Sequence, residues 1–366
     1  METICIDARF WGVGHTGIGR YVEKLIEYLP ESKEFKIVLI VHPDLKNEPK
    51  LAKFEKYYAK QHLYSFASLI EIGWLLIKIQ PDLLHISHLT VPWFWPGKIV
   101  VTIHDLIKHY NPGPKSSTRG PIMYWIKYFE YLIMTWIGVR RANHIIVPTN
   151  YWKEELITRY GISGYKITII NEGVEQKLFS ASAPQIDLPD HRPYVLYVGN
   201  VYPHKNIPLL LEAIKELNGE VLLIIVCARS VFAERVEKII VEKNLQQLVK
   251  FWGIVPDEIL VSLYQNALAY VFPSLIEGFG LPGLEAMAAG TPVISANASC
   301  LPEVYQDAAL YFDPRDAKDL ATKIRLILTD AKLRQSLIVK GKKQVKKYTW
   351  PKMAKQTWQI YQQELH

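Results

Sequence analysis

Apolar residues fall along this chain in short blocks set between amphipathic stretches. FKIVLIV at Phe35–Val41 is a nearly continuous β-branched run, the pattern of a strand buried on both faces. Thr3–Asp7, Asp82–Ile86, Ile99–Ile103 and His144–Pro148 predict further short strands. Gly17–Leu29 places Ile18, Val22, Leu25, Ile26 and Leu29 at helical spacing. Ser180–Pro193, SASAPQIDLPDHRP, breaks the pattern with prolines and small polar residues and reads as a linker. The pattern then restarts. Strands are expected at Tyr194–Val198, Val221–Val226, Val249–Trp252, Ala269–Phe272 and Thr291–Ser295. Helices are expected at Ile207–Leu217, Val231–Lys243 and Pro256–Asn266. A short helix should end at Ala289 with Gly290 as its cap, and a last helix should cover Trp350–Glu364. Strand–helix alternation of this kind predicts an α/β fold on parallel sheets. The reading is two doubly wound, Rossmann-like domains, 1–186 and 187–349, facing across a cleft. Ligands of such sheets bind outside the carboxyl ends of the strands, so the loops that follow strands are the places to look for chemistry.

Composition narrows the classes. The 366 residues are 49% hydrophobic and 22% charged, enough to build two cores. The formal net charge of +7 implies an acidic partner: a nucleotide, a phosphorylated substrate or an anionic membrane surface. The basic run Lys340–Lys347 reads as a solvated helix face, and no nucleic-acid partner is expected. Cys5, Cys227 and Cys300 show no CxxC spacing, which fits buried thiols in a reducing, cytoplasmic setting and neither a disulfide framework nor a zinc site. METICIDARFWG lacks the basic region of a secretory signal and reads as a strand. Pro121–Val139 is apolar but carries Lys127 and Glu130, and Arg119, Arg140 and Arg141 flank it. That is a poor spanning segment, and it predicts a helix that is buried or lies on a membrane surface.

Gly12–Gly17, GVGHTG, satisfies G-x-G-x-x-G after a strand and before a helix, with Asp44 just past the next strand. A dinucleotide-binding dehydrogenase is therefore one reading. Against it, Ala8–Trp11 intervene after the strand, and Trp11 and His15 make the loop bulky. Under either reading Gly17 and Gly19 open a helix where backbone can approach a phosphate.

EGFGLPGLE at Glu277–Glu285 raises a sharper possibility. Pro282 suits the first turn of a helix. Glu277 then lies in the loop before the helix and Glu285 on its opening turns, so the two acids bracket a helix start whose free N–H groups favour an anion. Carboxylates do not bind phosphate, but they accept hydrogen bonds from hydroxyls. A ligand with diphosphate in the middle and hydroxylated rings at both ends is a nucleotide sugar. Glu277 would hold the sugar and Glu285 the ribose, with Gly278 and Gly280 letting backbone close on the ligand. The plain alternative is two solvated acids flanking a turn.

FPSLIEGFGLPGLEAMAAGTPVIS resembles the E-x7-E region of the family 4 retaining glycosyltransferases of GT-B fold. The resemblance runs along nearly the whole chain: TGIGRYVEKLIEYL, TIHDLIKHYNP, IIVPTNYWKEEL, YVGNVYPHKNIPLLLEAI, LPEVYQDAALYFDP and the Trp350 helix all have counterparts in order. It implies a GT-B fold with 350–366 crossing back to the first domain. It also implies retention of anomeric configuration and no cofactor beyond the nucleotide-sugar donor. By position, Glu277, His104 and Lys205 would be catalytic, with Lys205 on the diphosphate and His104 near the reacting sugar. Asp105 would orient its loop. Gly17, Gly19, Gly199, Asn200, Arg229, Gly278, Phe279, Gly280, Leu281 and Glu285 would line the donor. Relatives pair the lysine with an arginine where this chain has Asn200 and His204; Arg229 and Arg20 are the candidate substitutes for that second cation. Asn171-Glu172-Gly173 departs from the Asn-Gly of many relatives. No DxD motif is present, so fixed cations are expected in place of a metal. GDP-mannose is the favoured donor, with UDP- and dTDP-sugars open, and the acceptor is a glycan or a lipid-linked glycan. Exposed aromatics in VPWFWPGK (Val91–Lys98) and the Pro121 helix would suit a membrane face; as core they would carry no such meaning. A GT-B-like epimerase and a non-catalytic subunit of glycan synthesis remain as alternatives.

Overall fold

The computed structural model describes residues 1–12, 17–61, 65–114, 117, 120–180, 190–228 and 230–366, without the side chains of residues 66, 178 and 180. In chain order its strands and α-helices are β1 (Glu2–Asp7), α1 (Gly17–Tyr28), β2 (Phe35–Val41), β3 (Glu55–Tyr58), α2 (Phe66–Ile79), β4 (Leu83–Ile86), β5 (Lys98–Thr102), α3 (Ile107–Tyr110), α4 (Pro121–Arg141), β6 (His144–Val147), α5 (Asn150–Tyr160), β7 (Ile167–Ile169) and α6 (Gln176–Ser180). The series continues with β8 (Tyr194–Val198), α7 (Ile207–Glu216), β9 (Leu222–Val226), α8 (Val231–Glu242), β10 (Val249–Phe251), α9 (Asp257–Asn266), β11 (Ala269–Phe272), α10 (Leu281–Ala289), β12 (Val293–Ala296), α11 (Leu301–Tyr305), β13 (Ala309–Phe312), α12 (Ala317–Thr329), α13 (Ala331–Val345) and α14 (Trp350–Leu365).

The chain forms two compact units. One comprises Met1–Leu106, Gly120–Gly173 and Thr349–His366; the other comprises Ile107–Arg119 and Val174–Tyr348. The expected boundary at 186/187 falls outside the described residues. Val174–Ser180, assigned by sequence to the first domain, packs in the second unit: Gln176 Nε2 donates to Val345 O at 3.0 Å, and Phe179 meets Tyr264 edge-on.

The first unit holds a seven-stranded sheet in the order β3-β2-β1-β4-β5-β6-β7, and every recorded pairing is parallel. β2 is buried along Val38–Val41, as its apolar run requires. α14 belongs to this unit. Thr349 caps it through Lys352 N and Pro351 sits in its first turn. It buries Trp350, Met353, Trp358 and Tyr361, with Trp358 edge-on to Phe35. Each such side chain contributes roughly 1.5–3 kcal/mol of apolar burial, which fastens the last helix to the first sheet.

The second unit holds a six-stranded parallel sheet in the order β10-β9-β8-β11-β12-β13. In each sheet the order reverses once, between β1 and β4 and between β8 and β11. The carboxyl ends at such a reversal leave a crevice, and functional loops gather there. The apolar runs predicted most of these strands to within two residues. They did not predict β3, whose Glu55 and Tyr58 are exposed on a sheet edge, the three-residue β7, or β13 at Ala309–Phe312.

Candidate active site

The second unit brings Lys205 and Glu277 together at the carboxyl ends of β8 and β11. Lys205 closes a single 3-10 turn, Pro203–Lys205, and Leu275 N donates to His204 O at 2.8 Å, tying the two loops together. Lys205 Nζ then donates to both carboxylate oxygens of Glu277, at 2.7 and 2.9 Å, and lies 5.7 Å from the Phe272 ring centre. The Glu277 side chain is 9% exposed and that of Lys205 17%, so the pair is largely withdrawn from water but reachable. Ser299 Oγ accepts from Glu277 N at 3.1 Å, and the Cys300 thiol donates to Glu277 O. Burial, and then the Glu277 charge, push that thiol well above its usual range, so it is an inert donor and not a nucleophile. Ser274 Oγ, on the same loop, is buried without a hydrogen-bond partner.

The glycines of this loop have a structural cause that the sequence did not reveal. Gly280 caps α10 at φ +97°, a conformation that favours glycine. Its carbonyl accepts from Tyr305 Oη at 2.6 Å. A Cβ at Gly280 would lie 2.5 Å from that oxygen, and one at Gly283 would lie 2.3 Å away. Tyr305 is fully buried and underpins the loop, so these two glycines make room for a tyrosine. Phe279 packs edge-on to Tyr348 and is buried, while Leu281 is half-buried at the start of α10. Glu285, 6% exposed, lies within α10 and accepts from Tyr264 Oη at 3.4 Å.

Gly199, at φ +132°, and the exposed Asn200 follow β8, and Asn200 O accepts from Tyr197 Oη. His204 does not replace the missing arginine. Burial, and then the charge of Lys205, hold its pKa down at about 4, so it is neutral near pH 7. Arg229 lies outside the described residues. Arg20 is half-buried on α1, in the first unit. A pocket of about 960 Å³ opens next to Lys205 and Glu277 in sequence, lined in part by Asn206, Leu275, Asn297, Tyr311, Asp313 and Arg315.

In the first unit, His104 follows β5. Its Nδ1 lies 2.8 Å from Glu172 Oε1, and both side chains are 9% exposed. Tyr21 meets the imidazole edge-on at 4.7 Å between ring centres. Tyr21 Oη lies 3.0 Å from Thr102 Oγ1, which lies 2.9 Å from His85 Nε2, and His85 Nδ1 contacts Tyr361 Oη on α14. Burial, reinforced by His104, lowers His85 to about 3, so it too is neutral. His104 Nε2 is buried and has no hydrogen-bond partner. At the β1–β4 crevice, Arg9 grips Asp7 through Nε at 2.8 Å and Nη2 at 2.6 Å, and His88 Nε2 lies 2.9 Å from Asp7 Oδ2. Burial alone would raise the Asp7 carboxyl; the Arg9 charge and the hydrogen bonds from Arg9 and His88 outweigh it and hold Asp7 far below the usual range.

Gly19 is buried on α1 and Gly17 is exposed at its start. Most of the G-x-G-x-x-G loop, residues 13–16, lies outside the described residues. Among the described residues, no three His, Cys, Asp or Glu side chains gather to hold a metal ion. None of the described helices is long and apolar enough to cross a membrane. One apolar side of α4 is not core: Ile122, Ile126, Phe129, Ile133 and Trp136 are 52–80% exposed. Trp74 on α2 and Trp93 in the β4–β5 loop are exposed as well.

Two doubly wound parallel units, each with one reversal of strand order, are the arrangement expected of the GT-B fold. Comparison with known proteins agrees. Residues 180–344 match the family described as glycosyl transferases group 1, and residues 15–178 match glycosyltransferase family 4. The chain is 30% identical over 259 residues to the O-antigen chain mannosyltransferase RfbU of Salmonella typhimurium, an alignment covering 69% of this chain and 68% of that protein. It is 27% identical over 374 residues to O-antigen chain mannosyltransferase B of Escherichia coli, covering 94% and 96%. Sucrose-phosphate synthase of Thermosynechococcus elongatus shares the fold, with a TM-score of 0.78 over 99% of each chain at 23% identity. The chain belongs to the family 4 glycosyltransferases and is a hexosyltransferase.

Proposed function

We infer that the chain is a retaining mannosyltransferase that takes its sugar from GDP-mannose and extends a glycan or lipid-linked acceptor in polysaccharide assembly. The observation that carries this reading is the two-pronged Lys205–Glu277 contact beside the start of α10. In the reaction the sugar C1–O bond to the diphosphate breaks and a bond from C1 to the acceptor oxygen forms. The acceptor's proton ends on the departing diphosphate. Lys205 and the first N–H groups of α10 stabilise the negative charge that develops on the leaving group, in place of a metal. Glu277, freed from part of its contact with Lys205, accepts from sugar hydroxyls. Glu285, the backbone of Gly199–Asn200 and the Gly278–Leu281 loop take the nucleotide end. The mannosyltransferase relatives support the choice of sugar, and the family resemblance supports retention. The test is turnover of GDP-mannose, UDP-glucose and dTDP-glucose with glycan acceptors. Release of GDP and transfer of mannose with retention are expected; turnover confined to a UDP- or dTDP-sugar would sink the donor assignment.

The exposed face of α4 favours one addition: the chain works on the cytoplasmic surface of a membrane. Ile122, Ile126, Phe129, Ile133 and Trp136 recur along one side of the helix, and Arg140 sits against the Trp136 ring. Aromatic and basic groups together suit the headgroup region of an anionic bilayer. Flotation with vesicles containing phosphatidylglycerol tests this. Co-flotation should be lost when Phe129 and Trp136 are both changed to serine, and failure of the unmodified protein to float would refute it.

A further inference from the structure

Each residue of Asn171-Glu172-Gly173 has a distinct task in the loop after β7. Asn171 Nδ2 donates to Pro148 O at 2.7 Å and pins the loop to the end of β6. Gly173 lies so close to the start of α14 that an added Cβ would sit 2.2 Å from Trp350 N. Between these fixed points, Glu172 is 7% exposed and reaches His104 Nδ1. A carboxylate is an acceptor only, so its partner on the ring must be Nδ1–H. With the proton on Nδ1, a neutral ring presents a lone pair at Nε2. That atom is the one left buried and unpartnered, and Tyr21 packs against the ring nearly perpendicular to it. A buried acceptor without a partner costs on the order of 1–3 kcal/mol, a cost commonly tolerated where a ligand supplies the donor.

We propose that Glu172 is a positioning residue: it locks His104 in the Nδ1–H tautomer, so that Nε2 accepts a hydrogen bond from a hydroxyl of the sugar or of the acceptor. The task of His104 as an acceptor for a hydroxyl, and not as a cation for phosphate, deepens the glycosyltransferase reading and rests on it. The arrangement follows the logic by which a carboxylate behind a histidine fixes which nitrogen faces the substrate.

Two measurements keep this inference separate from the identity of the donor. The first needs no turnover. In protein with 15N-labelled histidine at about pH 8, above the ordinary histidine range, the His104 resonances, assigned by their loss in His104→Ala, should report Nδ1–H with an unprotonated Nε2. Glu172→Ala should shift the ring toward Nε2–H. A proton on Nε2 in the unmodified protein overturns the proposal, whatever the donor proves to be. The second measurement is kinetic, with GDP-mannose. Glu172→Ala should lower kcat roughly 10- to 100-fold, the worth of one charge-assisted hydrogen bond, with the affinity for GDP itself unchanged. Glu172→Gln, whose amide oxygen can still accept from Nδ1–H, should retain most of the rate. The Glu172→Ala, His104→Ala double variant should be no slower than His104→Ala alone. Additive losses, or equal losses in Glu172→Gln and Glu172→Ala, would assign Glu172 a merely structural part and refute the tautomer lock. If GDP-mannose is not turned over by any form, the donor assignment fails while the tautomer result stands.

Discussion

A lysine ammonium held 2.7 and 2.9 Å from the two oxygens of one carboxylate is a committed ion pair, yet donor chemistry asks its members to do different things. The ammonium suits a diphosphate and the carboxylate suits sugar hydroxyls. The two should therefore separate in kinetics. Glu277→Ala should cut kcat by roughly 100- to 1,000-fold, the loss typical of one group that stabilises a transition state. GDP affinity should fall little, because Lys205 then faces the diphosphate alone. Lys205→Ala should weaken GDP binding directly, and it also leaves a buried carboxylate without its counter-charge, which costs stability. Calorimetry with GDP and steady-state rates on both variants decide the point. Equal losses of GDP affinity in the two would mean that the pair serves only to hold its loops together.

At the scale of elements, what the chain disclosed depended on how local the cause was. β2, β8 and β11 matched the expected bounds because most of their residues, Val38–Val41 in β2, are buried on both faces and the signal is the residues themselves. EGFGLPGLE was legible as a helix start because Pro282 acts within its own first turn. The causes that went unread are distant in sequence. Tyr305, which accounts for Gly280 and Gly283, lies 25 residues beyond Gly280. Glu172 lies 68 residues from the histidine it contacts, so NEG looked like a small departure and not like half of a dyad. The helix α4 was ambiguous for another reason. Apolar residues surround it on most sides, and periodicity alone does not distinguish such a helix buried in a core from one facing a bilayer. The exposure of Ile122, Phe129 and Trp136 shows only that this side of the helix is not core.

The distribution of buried histidines sets how the whole molecule responds to acid. Burial lowers His85 to about 3 and holds His88 and His144 down as well, all in the first unit. In the second unit His204 is lowered to about 4. Below about pH 6.5 the unfolded chain takes up protons on these rings while the native protein does not, so stability falls as pH falls, by about 1.4 kcal/mol per pH unit for each fully protected ring. For His204 the loss runs from about 6.5 down to about 4, where the native ring also protonates. Asp7 behaves differently. Its carboxyl is held low in the native state, so its contribution is intact above about pH 4 and is lost only in stronger acid. Between pH 6.5 and 4 the histidines therefore govern, and among the described residues three of the four lowered ones lie in the first unit. Acidification from about pH 7 to 5 should loosen the first unit more steeply than the second. Hydrogen exchange read peptide by peptide should show β4, β6 and α14 losing protection before β8 and β11. His204→Gln should flatten the pH dependence of the second unit and leave that of the first unchanged. Loss of protection in the second unit first, or an unaltered slope there in His204→Gln, would show that these rings do not carry the acid response.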